Sequence, residues 1–377
     1  MSQGGRAVIR GERTLPEGHT RAMRNPAITV IVPLYNGAPF IEEALNSVLA
    51  QTRPPARILV IDDGSTDGGP DIVRDMAGRH DIALVRKENG GQASARNLGV
   101  SLSRTPLVAF LDQDDIWYPD HLSELAVPFQ TARHPQLGWV YSNLDEIDRD
   151  GMMVTRACLD RKPEIEHPKR SLTGCLTTDM FILPTSCLID REAFLRVGGF
   201  DERLVGYEDD DLFLRMFRYG YDNVYLRGAL AKWRIYSSSA SYSPSMARSR
   251  MIYFRKLVEM FSGDDWRNVN YVRELIAPRF CPWLLLEYKR ALVSPRPSDL
   301  TTAVEDLRFL AMHLPNRSRA VFWIMMPMLA WRPTARIAEA LIDTELKLVN
   351  LRLLKTIVRR VLGLPRAGSP GRPATTS

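Results

Sequence analysis

Phe110-Leu-Asp-Gln-Asp-Asp-Ile-Trp117 is the stretch on which the reading of this chain turns. The apolar run Leu107 to Leu111 has the character of a buried strand, and it stops abruptly at Asp112, Asp114 and Asp115. Carboxylates this close repel one another unless a cation or a ring of donors sits between them. A hard divalent metal that also holds a diphosphate satisfies that need, because Mg2+ and Mn2+ take a few carboxylates plus phosphate oxygens. Taken alone, the cluster is served equally well by another role, that of aspartates capping a helix after Pro119.

Working outward, four apolar runs recur at near-constant spacing: Thr29–Pro33, Arg57–Ile61, Ile82–Lys87 and Leu107–Leu111, with starts 28, 25 and 25 residues apart. That spacing predicts repeated strand–helix–strand units. Between the first two runs, Phe40, Ile41, Ala44, Leu45, Val48 and Leu49 fall on one helical face, with Pro39 at a first-turn position. Gly90-Gly91 precedes a second helical stretch, Gln92 to Ser103. The expected fold is an α/β, open, mostly parallel sheet flanked by helices, whose ligands sit beyond the carboxyl ends of its strands.

Those strand ends carry suitable chemistry. In Pro33-Leu-Tyr-Asn-Gly37 the Tyr and Asn can stack on and hydrogen-bond a base, or simply make a turn. Asp62-Asp-Gly-Ser-Thr-Asp67 offers a carboxylate to the N–H edge of a base, and Asn89-Gly-Gly-Gln-Ala-Ser-Ala-Arg-Asn-Leu-Gly99 sets a helix N-terminus and Arg96 where a diphosphate would lie. Neither the G-x-G-x-x-G nor the P-loop pattern is present.

The order Val30-Ile-Val-Pro-Leu-Tyr-Asn, Asp62-Asp-Gly-Ser, Gly91-Gln-Ala-Ser-Ala-Arg-Asn, Leu111-Asp-Gln-Asp-Asp closely resembles the family 2 glycosyltransferases, inverting, metal-dependent enzymes of the GT-A fold that use nucleotide sugars. Val197-Gly-Gly-Phe-Asp-Glu-Arg-Leu-Val-Gly-Tyr-Glu-Asp-Asp-Asp-Leu-Phe-Leu-Arg215 looks like that family's acceptor-side motif, so the resemblance covers roughly residues 27–240. It implies that Pro33, Tyr35, Asp62, Asp63, Arg96 and Asp112 hold the nucleotide. It also implies that Asp112 and Asp114 form the D-x-D pair, with Asp114 nearest a Mn2+ or Mg2+ ion, and that the catalytic base lies in Glu208-Asp209. The implied partners are a nucleotide-sugar donor, UDP-linked in the first expectation, and a glycan or lipid-linked acceptor in bacterial cell-surface polysaccharide, lipopolysaccharide or other glycan biosynthesis. No nucleic-acid partner is implied.

The chemistry of the acids agrees. Transfer with inversion needs one carboxylate to take the acceptor hydroxyl proton as the diphosphate departs from the opposite face, while a metal neutralises charge on the leaving group. Four adjacent acids, Glu208 to Asp211, repel and raise at least one pKa. Asp209 is the preferred base, with Asp211 and Glu208 as alternatives; helix-capping carboxylates are the plainer reading. One departure stands out. Family members often carry a metal-binding histidine after an aromatic-Arg-x sequence, whereas Trp233-Arg-Ile-Tyr236 ends in tyrosine, a poorer ligand for these ions. That substitution keeps an inactive nucleotide-sugar-binding protein in view beside the nearest enzymatic rival, a nucleotidyltransferase.

The rest of the composition is that of an ordinary globular protein: 377 residues, 45% hydrophobic, 25% charged, net charge +6. The four cysteines make no C-x-x-C pair, and the six histidines form no ligand pair at helical or zinc spacing. Trp117 is expected either in the core or beside an acceptor pocket. Residues 1–26 are polar and predict a flexible segment without a secretory signal. Residues 27–245 are expected to form the GT-A domain and 246–364 a helical region, with a disordered Pro/Gly/Ser/Thr-rich tail over 365–377. No stretch reaches the ~18–20 apolar residues of a membrane span. Leu346 to Leu362 is amphipathic, with Arg352, Lys355 and Arg359 opposite its apolar face. It is expected to dock on an anionic membrane surface or on a protein partner, which makes the chain cytoplasmic and peripheral on the inner face of the cell membrane.

Overall fold

The computed structural model describes residues 23–131, 136–236, 244–263, 265–266 and 269–331. The amphipathic stretch 346–362, the 365–377 tail and most of the N-terminal segment and the serine-rich run lie outside them. The chain divides into two compact units, the first ending at Lys256 and the second beginning at Leu257.

In the first unit the elements follow in order: β1 (Ile28–Leu34), α1 (Ile41–Leu49), β2 (Arg57–Asp62), α2 (Gly69–Ala77), β3 (Ile82–Arg86), α3 (Gln92–Leu102), β4 (Leu107–Phe110), β5 (Ile116–Trp117), α4 (His121–Ala126), β6 (Leu137–Ile147), β7 (Met153–Thr155), α5 (Leu172–Thr177), β8 (Cys187–Asp190), α6 (Arg191–Arg196), α7 (Glu208–Arg218), β9 (Asp222–Arg234) and α8 (Pro244–Met260). The strands form one sheet in the order β3-β2-β1-β4-β8-β6-β9-β5, with β7 alongside β6. The first four strands are parallel throughout. The later ones are mixed, since β8 runs antiparallel to both β4 and β6 while β6 and β9 are parallel.

The local reasons are visible in the residues. Every residue of β1 and of β4 is buried, as expected for parallel strands covered by helices on both faces. Helix α1 turns Ile41, Ala44, Leu45 and Val48 inward and its acids outward. Helix α3 lies unusually close to the sheet, because a Cβ on Gly99 would come within 2.4 Å of Ile31 Cγ2. That close approach sets Arg96, one turn earlier on α3, at the ends of the strands. Chain order reverses between β1, which leads on to β2, and β4 on its other side; ligands of open sheets bind at such a switch point.

Trp117 belongs to the core. It is 3% exposed, its indole N–H donates to the Thr185 carbonyl at 2.7 Å, and its ring stacks on His121. Gly198 and Gly199, both with positive φ, make the turn that delivers Phe200 against Phe110 and Phe194.

In the second unit a two-stranded ribbon (Asp265–Trp266 with Val269–Asn270) precedes three helices, Ala277–Val293, Pro297–His313 and Asn316–Leu329. None of the described helices is long and apolar enough to cross a membrane.

Candidate active site

The aspartate cluster is held from several directions. Leu111 N–H donates to the Ile31 carbonyl, extending the β4–β1 pairing, and the chain turns where Asp115 N–H reaches the Asp112 carbonyl at 3.0 Å. It then enters β5, which pairs antiparallel with β9. The aspartates therefore cap no helix; α4 starts only at His121. Arg234, 2% exposed at the end of β9, acts as a strap. Its backbone N–H donates to Asp115 Oδ1 at 2.9 Å and its Nε to the Asp114 carbonyl at 2.7 Å. One terminal nitrogen reaches the Asp148 and Arg149 carbonyls and the other reaches Glu43 at 2.6 Å. Gln113 ties this loop to the one after β1: its Oε1 accepts from Tyr35 N–H at 2.8 Å and its Nε2 donates to the Tyr35 carbonyl.

Tyr236 donates its phenol proton to Asp114 Oδ2 at 2.8 Å, so it engages the cluster directly. Burial and the neighbouring Asp112 charge raise the Asp114 pKa, and burial together with Asp114 pushes Asp115 well above the ordinary carboxylate range. Among the described residues no group of three or more His, Cys, Asp or Glu side chains is set to hold a metal ion. Asp112 and Asp114 still suit a hard cation that draws its other ligands from phosphate and water, because a positive charge relieves the repulsion of two neighbouring carboxylates.

Pro33, Tyr35, Asp62 and Asp63 stand together at the carboxyl ends of β1 and β2, where Pro33 pairs with Ile61 and Leu34 with Asp62. The two aspartates are buried and already engaged. Asp62 accepts from Ser65 N–H at 2.8 Å. Asp63 accepts from Lys87 Nζ at 2.7 Å and from the backbone N–H groups of Gly90 and Gly91 at 2.9 and 2.7 Å. Asp63 thus anchors the glycine-rich loop ahead of α3. Tyr35 leaves its ring nearly half exposed.

A cavity of about 260 Å3 opens beside these loops, with Gln92, Arg96, Asp112, Asp114 and Asp209 on its polar side and Phe181, Leu183, Tyr207 and Trp233 on its apolar side. Arg96 is its pivot. At 1% exposure it donates from one terminal nitrogen to Asp112 Oδ1 at 2.5 Å and from the other to Glu208 Oε1 at 3.0 Å, and it lies over the Phe200 ring. Burial opposes its charge, but Asp112 and Glu208 outweigh that and raise its pKa. Gln92, one helical turn before, gives Asp112 Oδ1 a second donor at 2.7 Å.

The four consecutive acids at the start of α7 have four different fates. The turn before them needs positive φ at Gly206 (98°) and Tyr207 (67°), a conformation that favours glycine at the first of these. Glu208 accepts from Arg96 and from Gly206 N–H. Asp210 accepts from Met180 N–H at 2.5 Å and from the Tyr253 hydroxyl at 2.7 Å. Asp211 is fully buried, points away from the cavity, and pairs with Arg215 and Lys256, each at 2.7 Å. Asp209 lines the cavity, accepts one hydrogen bond from the adjacent Asp210 N–H, and makes no ion pair among the described residues. Desolvation, then Glu208 and Asp210, push its pKa well above the ordinary range, with Arg96 pulling the other way.

The residues missed by sequence reasoning are Gln92, Arg234, Met180 and Tyr253. Gln92 carried a usable signal, since it stands four residues before Arg96 on the same helical face. Arg234 carried one as well, as the arginine of the aromatic-Arg-x sequence that ends at Tyr236; Met180 and Tyr253 meet the site across long separations and left none.

Residues 29–198 match the family described as glycosyl transferase family 2. An uncharacterized glycosyltransferase of Rickettsia prowazekii (strain Madrid E) is 31% identical over 196 residues, which are 52% of this chain and 59% of that protein. A putative teichuronic acid biosynthesis glycosyltransferase, TuaG of Bacillus subtilis (strain 168), is 27% identical over 262 residues, 67% of this chain and 98% of that one. The chain spans 28–59% of the length of the first curated relatives it matches. Among solved structures, residues 1–349 of S. aureus TarS in complex with UDP-GlcNAc superpose with a TM-score of 0.60 at 16% identity, covering 85% of this chain and 92% of that one. That likeness is one of fold.

Proposed function

From a chain that carries a glycosyltransferase family 2 domain, we propose an inverting transferase that moves a sugar from a nucleotide-diphosphate sugar to a hydroxyl of a growing glycan. The observation that carries this reading is one cavity lined by Asp112 and Asp114, at the end of β4, and by Asp209, at the start of α7, with Arg96 bridging Asp112 to Glu208, the neighbour of Asp209. A carboxylate on the acceptor side that can take the hydroxyl proton is what inversion needs, and a cation site on the donor side would offset charge on the leaving diphosphate.

In this mechanism Pro33, Tyr35, Asp62 and Asp63 frame the base and ribose, while Arg96 and Asp112 order the diphosphate side. Asp209 takes the proton of the acceptor hydroxyl as that oxygen attacks the anomeric carbon, and the bond to the diphosphate breaks on the opposite face. Its raised pKa suits a base that works near neutrality. Glu208, committed to Arg96, and Asp211, committed to Arg215 and Lys256, hold the helix start in place. Asp114, with Asp112, would hold a divalent ion, which when bound neutralises charge on the departing diphosphate. A UDP-linked donor is the first to try, given the UDP-GlcNAc bound by the structurally similar TarS. The similarity to TuaG points to cell-surface polysaccharide synthesis. The expected setting is the cytoplasmic face of the cell membrane, and a lipid-linked acceptor would bring the chain to that surface.

The test is a panel of UDP-, GDP-, CMP- and dTDP-sugars, each with and without Mn2+, scored for nucleoside diphosphate (CMP from the CMP-sugars) released in proportion to added glycan acceptor. Release of pyrophosphate in its place would make the chain a nucleotidyltransferase, and binding without turnover would make it a sensor or scaffold. Asp114→Ala is expected to weaken Mn2+-dependent donor binding by at least roughly 10-fold, a scale that even outer-shell partners of a metal reach. Donor titrations with and without Mn2+ check it, and an unchanged metal dependence would remove Asp114 from the metal's ligand set.

A further inference from the structure

The family match ends at residue 198, so neither α7 nor α8 falls inside it, yet α8 touches the catalytic turn at nearly every step. Ser249, Tyr253 and Lys256 follow at helical spacing on one face of α8. Val205 N–H donates to Ser249 Oγ at 2.7 Å, and Arg250 Nε donates to the Tyr207 hydroxyl at 3.1 Å. The rings of Tyr207 and Tyr253 stack with centroids 5.6 Å apart. Met246 fills the space over Gly206, where an added Cβ would sit 2.1 Å from its sulfur. Most telling, the Tyr253 hydroxyl donates to Asp210 Oδ2 at 2.7 Å, and Lys256 Nζ lies 2.7 Å from both Asp211 Oδ1 and Asp201 Oδ2, tying the helix start to the turn before it.

We propose that Tyr253 and Lys256 are positioning residues for the catalytic base: by committing the carboxylates of Asp210 and Asp211 they leave Asp209 as the carboxylate of this cluster free to face the acceptor. This rests on the transferase reading of the site and deepens it. Four acids in a row share one helix start, and without partners each would compete for the same donors and the same proton. Arg96 holds Glu208 from the donor side, and α8 holds the two that follow Asp209. Neither Tyr253, fully buried, nor Lys256 lines the cavity, so each acts through its partner.

The experiment measures the nucleotide released from the sugar-nucleotide panel with Mn2+, with added glycan acceptor and with water alone. Tyr253→Phe keeps the ring against Tyr207 and removes only the hydroxyl. It is expected to lower kcat about 10-fold or more, the scale of a hydrogen bond to a charged group. Donor KM should stay close to wild type. Lys256→Gln should show the same split, and Lys256→Arg, which keeps the cation, should recover most of the rate. In an Asp209→Asn background Tyr253→Phe should cost almost nothing further, since the group it serves is already gone. A full rate in Tyr253→Phe, an equal loss in the Asp209→Asn background, or a loss confined to KM would each overturn the inference while leaving the transferase reading intact. A wild-type protein silent across the whole panel would overturn that reading, and the inference with it.

Discussion

Asp209→Asn lowers transfer about 10²–10⁴-fold while nucleoside diphosphate affinity stays within a few-fold of wild type. The amide keeps the shape of the side chain and can still accept from Asp210 N–H, but it cannot take a proton. The variant separates chemistry from binding because Asp209 makes no ion pair to Arg96, Arg215 or Lys256 that its loss would break. A pH dependence follows with a definite sign. A base works only when deprotonated, so the wild-type rate falls as pH drops through a carboxyl pKa that burial, Glu208 and Asp210 hold above the usual range. Arg96, also facing Asp209, moderates that rise. Asp209→Asn should lose this acid limb from kcat along with the rate. Steady-state kinetics over a pH series, beside a nucleotide titration of the variant, checks both parts. Near-normal turnover would move the role to Glu208 or Asp211.

Why Asp209 stands out among its neighbours shows where the sequence was legible. The strands β1 to β4 came through because buried parallel strands are unbroken apolar runs, and here nothing polar interrupts Ile28–Leu34 or Leu107–Phe110. The end of β4 was legible too, because Asp112, Asp114 and Asp115 break its apolar run. Within Glu208–Asp211 the pattern alone was silent, and helix geometry decides it. Residues two apart do not share a face, so Asp211 is carried away from Asp209's side, and its spacing to Arg215 makes an i,i+4 ion pair. That pair could have been read from the sequence. The clasp of Arg234 on Asp114 and Glu43 could not, since it joins residues 120 and 191 positions apart. The grip of α8 was equally hidden. The serine-rich run suggests a break near residue 245, whereas the first compact unit continues to Lys256, through the very residues that reach Asp210 and Asp211. Hydrophobic period reports which face of an element is covered and says nothing of which distant hydroxyl will meet a given carboxylate.

Arg96→Met is expected to destabilise the first unit by about 3 kcal/mol, the lower part of the range for removing one partner of a buried ion pair. Met fills much of the same volume, so packing against Phe200 is partly kept and the loss is chiefly electrostatic. The Asp112 and Glu208 side chains are 23% and 10% exposed and would face one another across the vacated guanidinium. The cost stays at the lower end because each keeps one other donor, Gln92 Nε2 for Asp112 and Gly206 N–H for Glu208. Arg74→Met is a fitting control: that arginine pairs with Asp71 at the surface, their side chains 56% and 77% exposed, and exposed pairs contribute little. Urea unfolding would show the Arg96 midpoint falling at an unchanged slope, with the Arg74 midpoint nearly unmoved. The rate should fall too, since the same guanidinium fixes the donor aspartate and the acceptor-side glutamate in one frame. Arg96→Lys separates the two effects: it restores a charge and much of the stability, but a single ammonium cannot reproduce the two-armed geometry that bridges both carboxylates. A stability loss below about 1 kcal/mol in Arg96→Met would mean that the two halves of the site are held apart by the backbone alone, and that the guanidinium is not the element that joins them.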